Sequence, residues 1–173
     1  MKDISQEEID KFIKKKQEQQ MEYSHLEEKA KEYRKRIKSG CFHLTIQWET
    51  DITAINLDNL KTSLIDEIKH NFPLDYKIVQ LDLDNVVRLH CEKPDTIFPK
   101  NNLWAIRQPH TIARLIEFIE NGNKLIPPLI QTNGNRILII DGNHRIALCR
   151  FLRIEKIPFL IAKKAFSFLH NLA

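Results

Sequence analysis

The apolar run ILII at residues 137–140 passes without a spacer into the polar sequence DGNHR at residues 141–145, and then into a segment with helical spacing of apolar residues. A short run of this kind, rich in β-branched residues, is typical of a buried strand. The sequence therefore predicts a strand followed at once by a helix, with polar residues concentrated at the junction. We call residues 141–145 the DGNHR box.

Such a junction favours the binding of an anion. The first backbone N–H groups of a helix are unpaired and carry about half a positive charge. Gly142 can bring the backbone close to a ligand or adopt a positive φ. The side chains of Asn143, His144 and Arg145 add donors, and Arg can hold two phosphate oxygens in its planar fork. The box therefore predicts a phosphate-binding site.

Asp141 does not fit a simple phosphate site, because a carboxylate repels a phosphate. It would suit the site if it held a Mg²⁺ ion, abstracted a proton, or restrained His144 or Arg145. A purely structural alternative is that Asp141 and Asn143 cap the last helix while Arg145 forms a surface ion pair.

Residues 5–39 contain no Pro or Gly and are rich in good helix formers, which predicts one long helix ended by Gly40. The charges along this helix are nearly balanced, so it is not a basic DNA-binding arm. Its apolar residues form a three-four spacing that is interrupted at Lys16 and Gln19. This pattern suits a coiled-coil dimer or a helix docked on its own domain. The residues of the seam are Ile9, Phe12, Tyr23, Leu26, Ala30, Tyr33 and Ile37.

The rest of the chain alternates between the two periodicities. We expect an α+β fold with a mixed sheet and packed helices, preceded by the long N-terminal helix. Residues 1–39 would form that charged helix and residues 40–173 the α+β domain. Strands are predicted at residues 41–48, 76–83, 85–91, 128–131, 136–140 and 157–162, helices at 56–72, 110–121 and 145–152, and a hairpin turn at 133–135.

Composition narrows the function only slightly. The formal net charge of +4 is small for a nucleic-acid binder. Cys41, Cys91 and Cys149 lie far apart, which suits reduced thiols better than a zinc site or a disulfide framework. No stretch is long and apolar enough to span a membrane. We therefore expect a soluble, cytoplasmic protein with no membrane partner.

The span of residues 104–162 resembles the ParB N-terminal-like (ParB/sulfiredoxin) domain family, and the likeness extends weakly over about residues 81–165. The features that carry it are a helix ending in Asn-Gly, the sequence LIPPLI at residues 125–130, a short hairpin, the strand at 137–140, the DGNHR box and a following helix. The resemblance implies a ParB-like fold, binding of ATP, ADP or CTP with Mg²⁺, and slow NTPase activity. It also implies a setting in bacterial DNA maintenance, a plasmid or phage, or defence, with DNA as a partner.

Two departures limit what the resemblance implies. Sulfiredoxins have a cysteine immediately before the His-Arg pair, where this chain has Asn143, so sulfinic-acid reduction is not expected. ParB proteins proper have a more basic box and a long helix-turn-helix region downstream. Because this chain ends at Ala173, partition-type operator recognition is not expected.

The subgroup with an Asp-Gly-x-His-Arg box includes free serine kinases, whose catalytic carboxylate comes from a His-Glu pair. By that resemblance, Glu92 becomes a candidate catalytic residue beside Asp141. Arg107 becomes a second candidate phosphate ligand, near His110. Arg153 stands where relatives usually have glycine after the last helix.

Three further functions remain open. The chain could be a kinase for a small hydroxylated metabolite, or a non-catalytic interaction module in which the N-terminal helix recruits a partner, as in a homodimer. A nuclease is the third, although it would need a metal-carboxylate cluster. If the chain is an enzyme, the resemblance implies NTP-dependent phosphoryl transfer or hydrolysis.

Overall fold

The structure is a computed structural model that describes residues 5–59, 68–70, 72–91, 93–105 and 109–165. It begins with the predicted long helix, α1, at Gln6–Lys38. Ser5 and Glu8 form a reciprocal capping box at its start. Gly40 follows the helix with φ 72°, a conformation that glycine adopts without steric cost. The predicted N-terminal helix and its glycine stop are confirmed.

Four strands form one mixed sheet. They are β1 at Tyr76–Asp82, β2 at Leu129–Asn133, β3 at Arg136–Asp141 and β4 at Lys156–Ala162, in the order β1-β4-β2-β3. β2 and β4 run parallel, and the other neighbours are antiparallel. Gly134 has φ 58° in the β2–β3 hairpin turn. The predicted α+β class, with a long helix preceding a mixed sheet, is confirmed.

Further helices with bounds in the described part of the chain pack around the sheet, and residues 68–70 are also helical. The helices with bounds are α2 at Leu83–His90, α3 at Pro94–Ile97, α4 at Pro109–Glu120 and α5 at Asn143–Phe151. Short 3₁₀ turns lie at Ile52–Ala54, Leu57–Asn59, Leu103–Ala105 and Lys163–Ala165. No helix among the described residues has the length and hydropathy needed to cross a membrane.

The strand predicted at residues 85–91 is wrong, because this segment is helix α2. The Asp82 carboxylate accepts a hydrogen bond from the Asn85 N–H at 2.7 Å and caps the helix. Leu83, Val86 and Val87 are buried at helical spacing. The two valines favour a strand intrinsically, but packing on the sheet and the Asp82 cap decide for a helix.

The strand predicted at residues 41–48 is also wrong, because these residues form no regular strand. The backbone of the segment meets the sheet side of the chain at an isolated parallel bridge between Trp48 and Leu125. Phe42, Leu44 and Ile46 pack against the α1–α4 core, so their alternation reflects packing rather than a strand. Most of the helix predicted at residues 56–72 lies outside the described residues.

The C-terminal half of α1 docks on α4. Leu26, Ala30 and Tyr33 are buried in a cluster with the apolar face of α4. The Tyr33 hydroxyl donates to Glu120 at 3.0 Å, and burial together with this bond raises the pKa of Tyr33. In contrast, every residue from 5 to 25 is exposed. Only part of α1 therefore belongs to the domain core.

His90, the last residue of α2, lies against the outer edge of β3. Its Nδ1 is 3.2 Å from the Ile137 carbonyl oxygen and 3.4 Å from the Ile139 nitrogen. Because β3 is at the edge of the sheet, no strand among the described residues pairs with these two backbone groups on that side. One ring nitrogen can serve only one of them at a time, as donor or as acceptor.

Candidate functional site

The DGNHR box lies at the predicted strand-to-helix junction. Asp141 ends β3, and Gly142 precedes α5 with φ 103°. The Gly142 carbonyl accepts the first helical bond, from the Ile146 N–H at 2.9 Å. Gly142 has no side chain with which to cap the helix. The N–H groups of the first turn of α5 therefore begin directly after the box glycine.

Glycine is required at position 142 by space as well as by conformation. A Cβ on Gly142 would lie 2.7 Å from the Pro128 Cβ and 2.9 Å from the Pro128 Cα. Pro128 is buried, so it cannot easily move away. The contact fixes the start of α5 against the segment that leads into β2.

The Arg145 side chain folds back into the turn. It forms an ion pair with the Asp141 carboxylate and donates to the backbone carbonyl of Ile126. The two charged side chains keep 13% and 22% of their exposure, respectively. Burial lowers the pKa of Arg145, while the nearby Asp141 carboxylate acts in the opposite direction.

This geometry matches one of the three roles considered for Asp141, that of restraining Arg145. The ion pair neutralises a carboxylate that would otherwise repel an anion at the helix N-terminus. It also places the Arg145 donors on protein groups. Within the box, the side chain of Asn143 is exposed and that of His144 is half-buried.

A metal ion held by protein side chains at the box would require a set of donor groups close together. Within the described residues, no group of three or more His, Cys, Asp and Glu side chains is placed to hold a metal. Asp141 is engaged with Arg145.

The two candidates carried from the upstream segments, Glu92 and Arg107, lie outside the described residues. The structure neither joins them to the box nor separates them from it. His110, next to Arg107 in the sequence argument, packs against α1, with its ring centroid 4.7 Å from that of Tyr23.

Arg150, on α5, is a buried charge that the sequence argument missed. Its guanidinium bonds to Asp84 at 3.0 Å and to Asp95 at 3.1 Å. It also donates to the carbonyl oxygens of Pro94 and Phe98. Arg150 thus ties α5 to α2 and to the α3 segment. An arginine within the otherwise apolar stretch of residues 146–152 was the available signal.

Arg150 also lines a polar cleft of about 680 Å³. Among the described residues, those lining this cleft come from the C-terminal end of α5 and from the segments around Asp84 and Lys100, not from the box. Although partial burial alone would raise it, hydrogen bonds from Lys100 and Arg150 hold the pKa of Asp84 below its ordinary value. Part of the cleft wall is thus formed by the ion pairs of Arg150 and Lys100 with Asp84 and Asp95.

Cys149 and Cys91 are unsuited to nucleophilic chemistry. Burial raises the pKa of Cys149 to about 12, against the opposing effect of Arg145. Burial likewise raises the pKa of Cys91. A thiol that stays protonated at neutral pH is a poor nucleophile.

The fold and the site together define an α+β domain in which a glycine-opened turn joins an edge strand of a mixed sheet to a helix. Comparisons with protein-family models, curated proteins and solved structures found no match.

Proposed function

We propose that the chain binds the phosphate groups of a nucleotide at the DGNHR box. The observation that carries the proposal is the Asp141–Arg145 ion pair next to the start of α5. It removes the repulsion that the carboxylate would exert, while the positive end of the helix dipole is left at the turn. The N-terminus of a helix favours phosphate binding through its unpaired N–H groups and its dipole.

The box residues would divide the work. The first N–H groups of α5 and the side chains of Asn143 and His144 contact the phosphate oxygens. Gly142 keeps the turn narrow, and Arg145 positions the turn through Asp141 and Ile126. Arg107 is a further phosphate ligand in this proposal. The Mg²⁺ arrives with the nucleotide.

Turnover is a separate part of the proposal. Phosphoryl transfer depends mainly on positioning and charge neutralisation, so a bound triphosphate could be hydrolysed slowly. For Asp141 to orient water or metal, it would have to exchange Arg145 for the ligand. The resemblance to ParB-like domains supports a cytoplasmic role in DNA maintenance, mobile elements or defence, with Glu92 as the carboxylate in a kinase variant.

Nucleotide titration tests the binding step. ATP, ADP and CTP are titrated by calorimetry into the purified chain, with and without Mg²⁺. His144→Ala and Asn143→Ala should each weaken binding roughly tenfold, because each removes about one charge-assisted hydrogen bond. His43→Ala, an exposed histidine far from the box in sequence, should bind as the parent does. Equal binding by His144→Ala, Asn143→Ala and His43→Ala would exclude the box as the site.

Phosphate release then separates the candidate functions. An NTPase releases phosphate from the parent and less from Asp141→Ala. A metabolite kinase forms ADP only when its hydroxylated substrate is added. Binding without any turnover identifies an interaction module. The exposed half of α1 favours the interaction module as a second candidate function, because it offers a surface to which a partner could bind.

A further inference from the structure

The apolar seam of α1 is longer than the surface that covers it. Its heptad positions continue in register from Ile9 to Ile37 over a helix about 50 Å long. The half nearer the C-terminus meets α4, where contact begins at the Tyr23–His110 ring pair and the 2.8 Å Glu22–Arg114 ion pair. The same heptad register therefore continues beyond the α1–α4 interface, across the polar positions Lys16 and Gln19, into the exposed half of the helix.

The exposed half carries its own apolar cluster. Ile9, Phe12 and Ile13 occupy i, i+3 and i+4 positions and are 40%, 62% and 47% exposed. Three apolar side chains on one helix face are the usual element of a helix-to-helix contact. Within the described part of the chain, Phe12 has the Lys16 ammonium over its ring at 5.6 Å.

The charges along this segment indicate which partner would bind to its apolar face. Residues 7–10 contain three acidic side chains, and residues 11–16 contain four lysines. Two such helices laid antiparallel bring the acidic part of each against the basic part of the other. The segment is therefore complementary to itself, which is the condition for a twofold-symmetric contact.

The heptad register predicts which residues of the two copies would contact each other. With Ile9 at position a and Phe12 at position d, an antiparallel pair packs Ile9 of one copy on Phe12 of the other. Glu8 and Lys15 both fall at g positions, which face each other in antiparallel pairs and give two opposite-charge contacts by symmetry. A parallel pair would instead set Glu8 beside Ile13 and Lys15 beside Gln20.

We propose that residues 5–19 of α1 pair antiparallel with the same segment of a second copy of this chain. The two domains then lie at opposite ends of the paired helices, and the α1–α4 contacts within each copy are unchanged. The interface is small, so the dimer dissociates on dilution.

Sedimentation equilibrium of the full chain tests the contact. The parent should pass from monomer to dimer as its concentration rises. Phe12→Ala should weaken the dimer at least about tenfold, because Phe12 is the largest side chain of the contact. Met21→Ala is the matched control, since Met21 is 66% exposed but lies off the seam. A parent that stays monomeric, or equal association of the two variants, would overturn the proposal.

Charge exchange tests the direction of pairing. Glu8→Lys alone and Lys15→Glu alone each place like charges at the facing g positions and should dimerise less than the parent. An equimolar mixture should restore association, because the two variants are complementary only when antiparallel. Circular dichroism checks that the loss of the Glu8 cap leaves α1 helical. A mixture no stronger than the separate variants, with α1 intact, would rule out the antiparallel register.

Discussion

Gly142 and Gly134 both have positive φ, at 103° and 58°, but their surroundings differ. A side chain at position 142 would meet Pro128, whereas a Cβ at position 134 meets nothing within 4 Å. The first glycine is therefore required by conformation and by space, and the second by conformation alone.

Gly142→Ala should lower the free energy of unfolding by about 2–4 kcal/mol, since backbone strain and overpacking add. Gly134→Ala should cost only about 1 kcal/mol, the ordinary penalty for a left-handed alanine. Urea denaturation of the two variants measures both values. Similar losses in the two variants would contradict the proposed role of the Pro128 contact.

Arg153 has φ 58° immediately after α5, a conformation that favours glycine. Its N–H bonds to the Arg150 carbonyl at 3.1 Å, so the turn is fixed by the helix end. Arg153→Gly should raise the free energy of unfolding by about 1 kcal/mol. Arg153→Ala removes the same side chain but keeps the strain, so it should give no such gain. If both variants have the same stability, backbone strain is not the cause.

Arg150 sets the positions of three elements through one buried side chain. Arg150→Met should lower the free energy of unfolding by about 3 kcal/mol, because it removes the buried donor that two carboxylates and two carbonyl oxygens share. Arg88→Met, on the exposed face of α2, should change it by less than about 0.5 kcal/mol. Thermal and urea unfolding compare the two variants, and an Arg150→Met protein as stable as Arg88→Met would refute the anchoring role.

The same cluster predicts a pH dependence. The pKa of Asp84 is lower in the folded chain than its ordinary value of 3.8. A depressed folded pKa means that this contribution to stability is present above the unfolded pKa and is lost as pH falls through the folded pKa. The stability difference between the parent and Asp84→Asn should therefore shrink as pH is lowered from about 5 to 2. A difference that stays constant over that range would contradict it.

At the scale of elements, the sequence correctly predicted those features that depend on a few neighbouring residues. The ends of α1 and α4 follow from Gly40 and Gly122, and the hairpin follows from its turn sequence. The identity of α2 did not follow, because Val86 and Val87 favour strands until the sheet packs against them. The segment of residues 41–48 likewise shows alternation without regular pairing.

The candidate site divides in the same way. The junction was predictable because the box is contiguous in sequence. The engagement of Arg145 with the Ile126 carbonyl was not, since that group lies 19 residues away. Arg150 and Asp84 are separated by 66 residues. Which residues pair over such sequence separations depends on tertiary packing. The periodicity of the sequence does not reveal that packing.

At the scale of the whole molecule, one half of α1 packs into the domain and the other half is exposed. Removing residues 1–21 should leave the melting temperature within a few degrees of the parent, because residues 5–21 are exposed. Removing residues 1–38 also removes Leu26, Ala30 and Tyr33 from the core, and should lower it by 10 degrees or more, roughly. Calorimetry measures both. Equal melting temperatures would show that α1 is not needed for the domain core.

His90 has a consequence for the behaviour of the chain at high concentration. An edge strand with free backbone groups is a template on which another chain can add a strand. The His90 ring occupies that edge at Ile137 and Ile139. We therefore expect the His90 ring, besides supporting the α2–β3 contact, to hinder the addition of another chain's strand to β3.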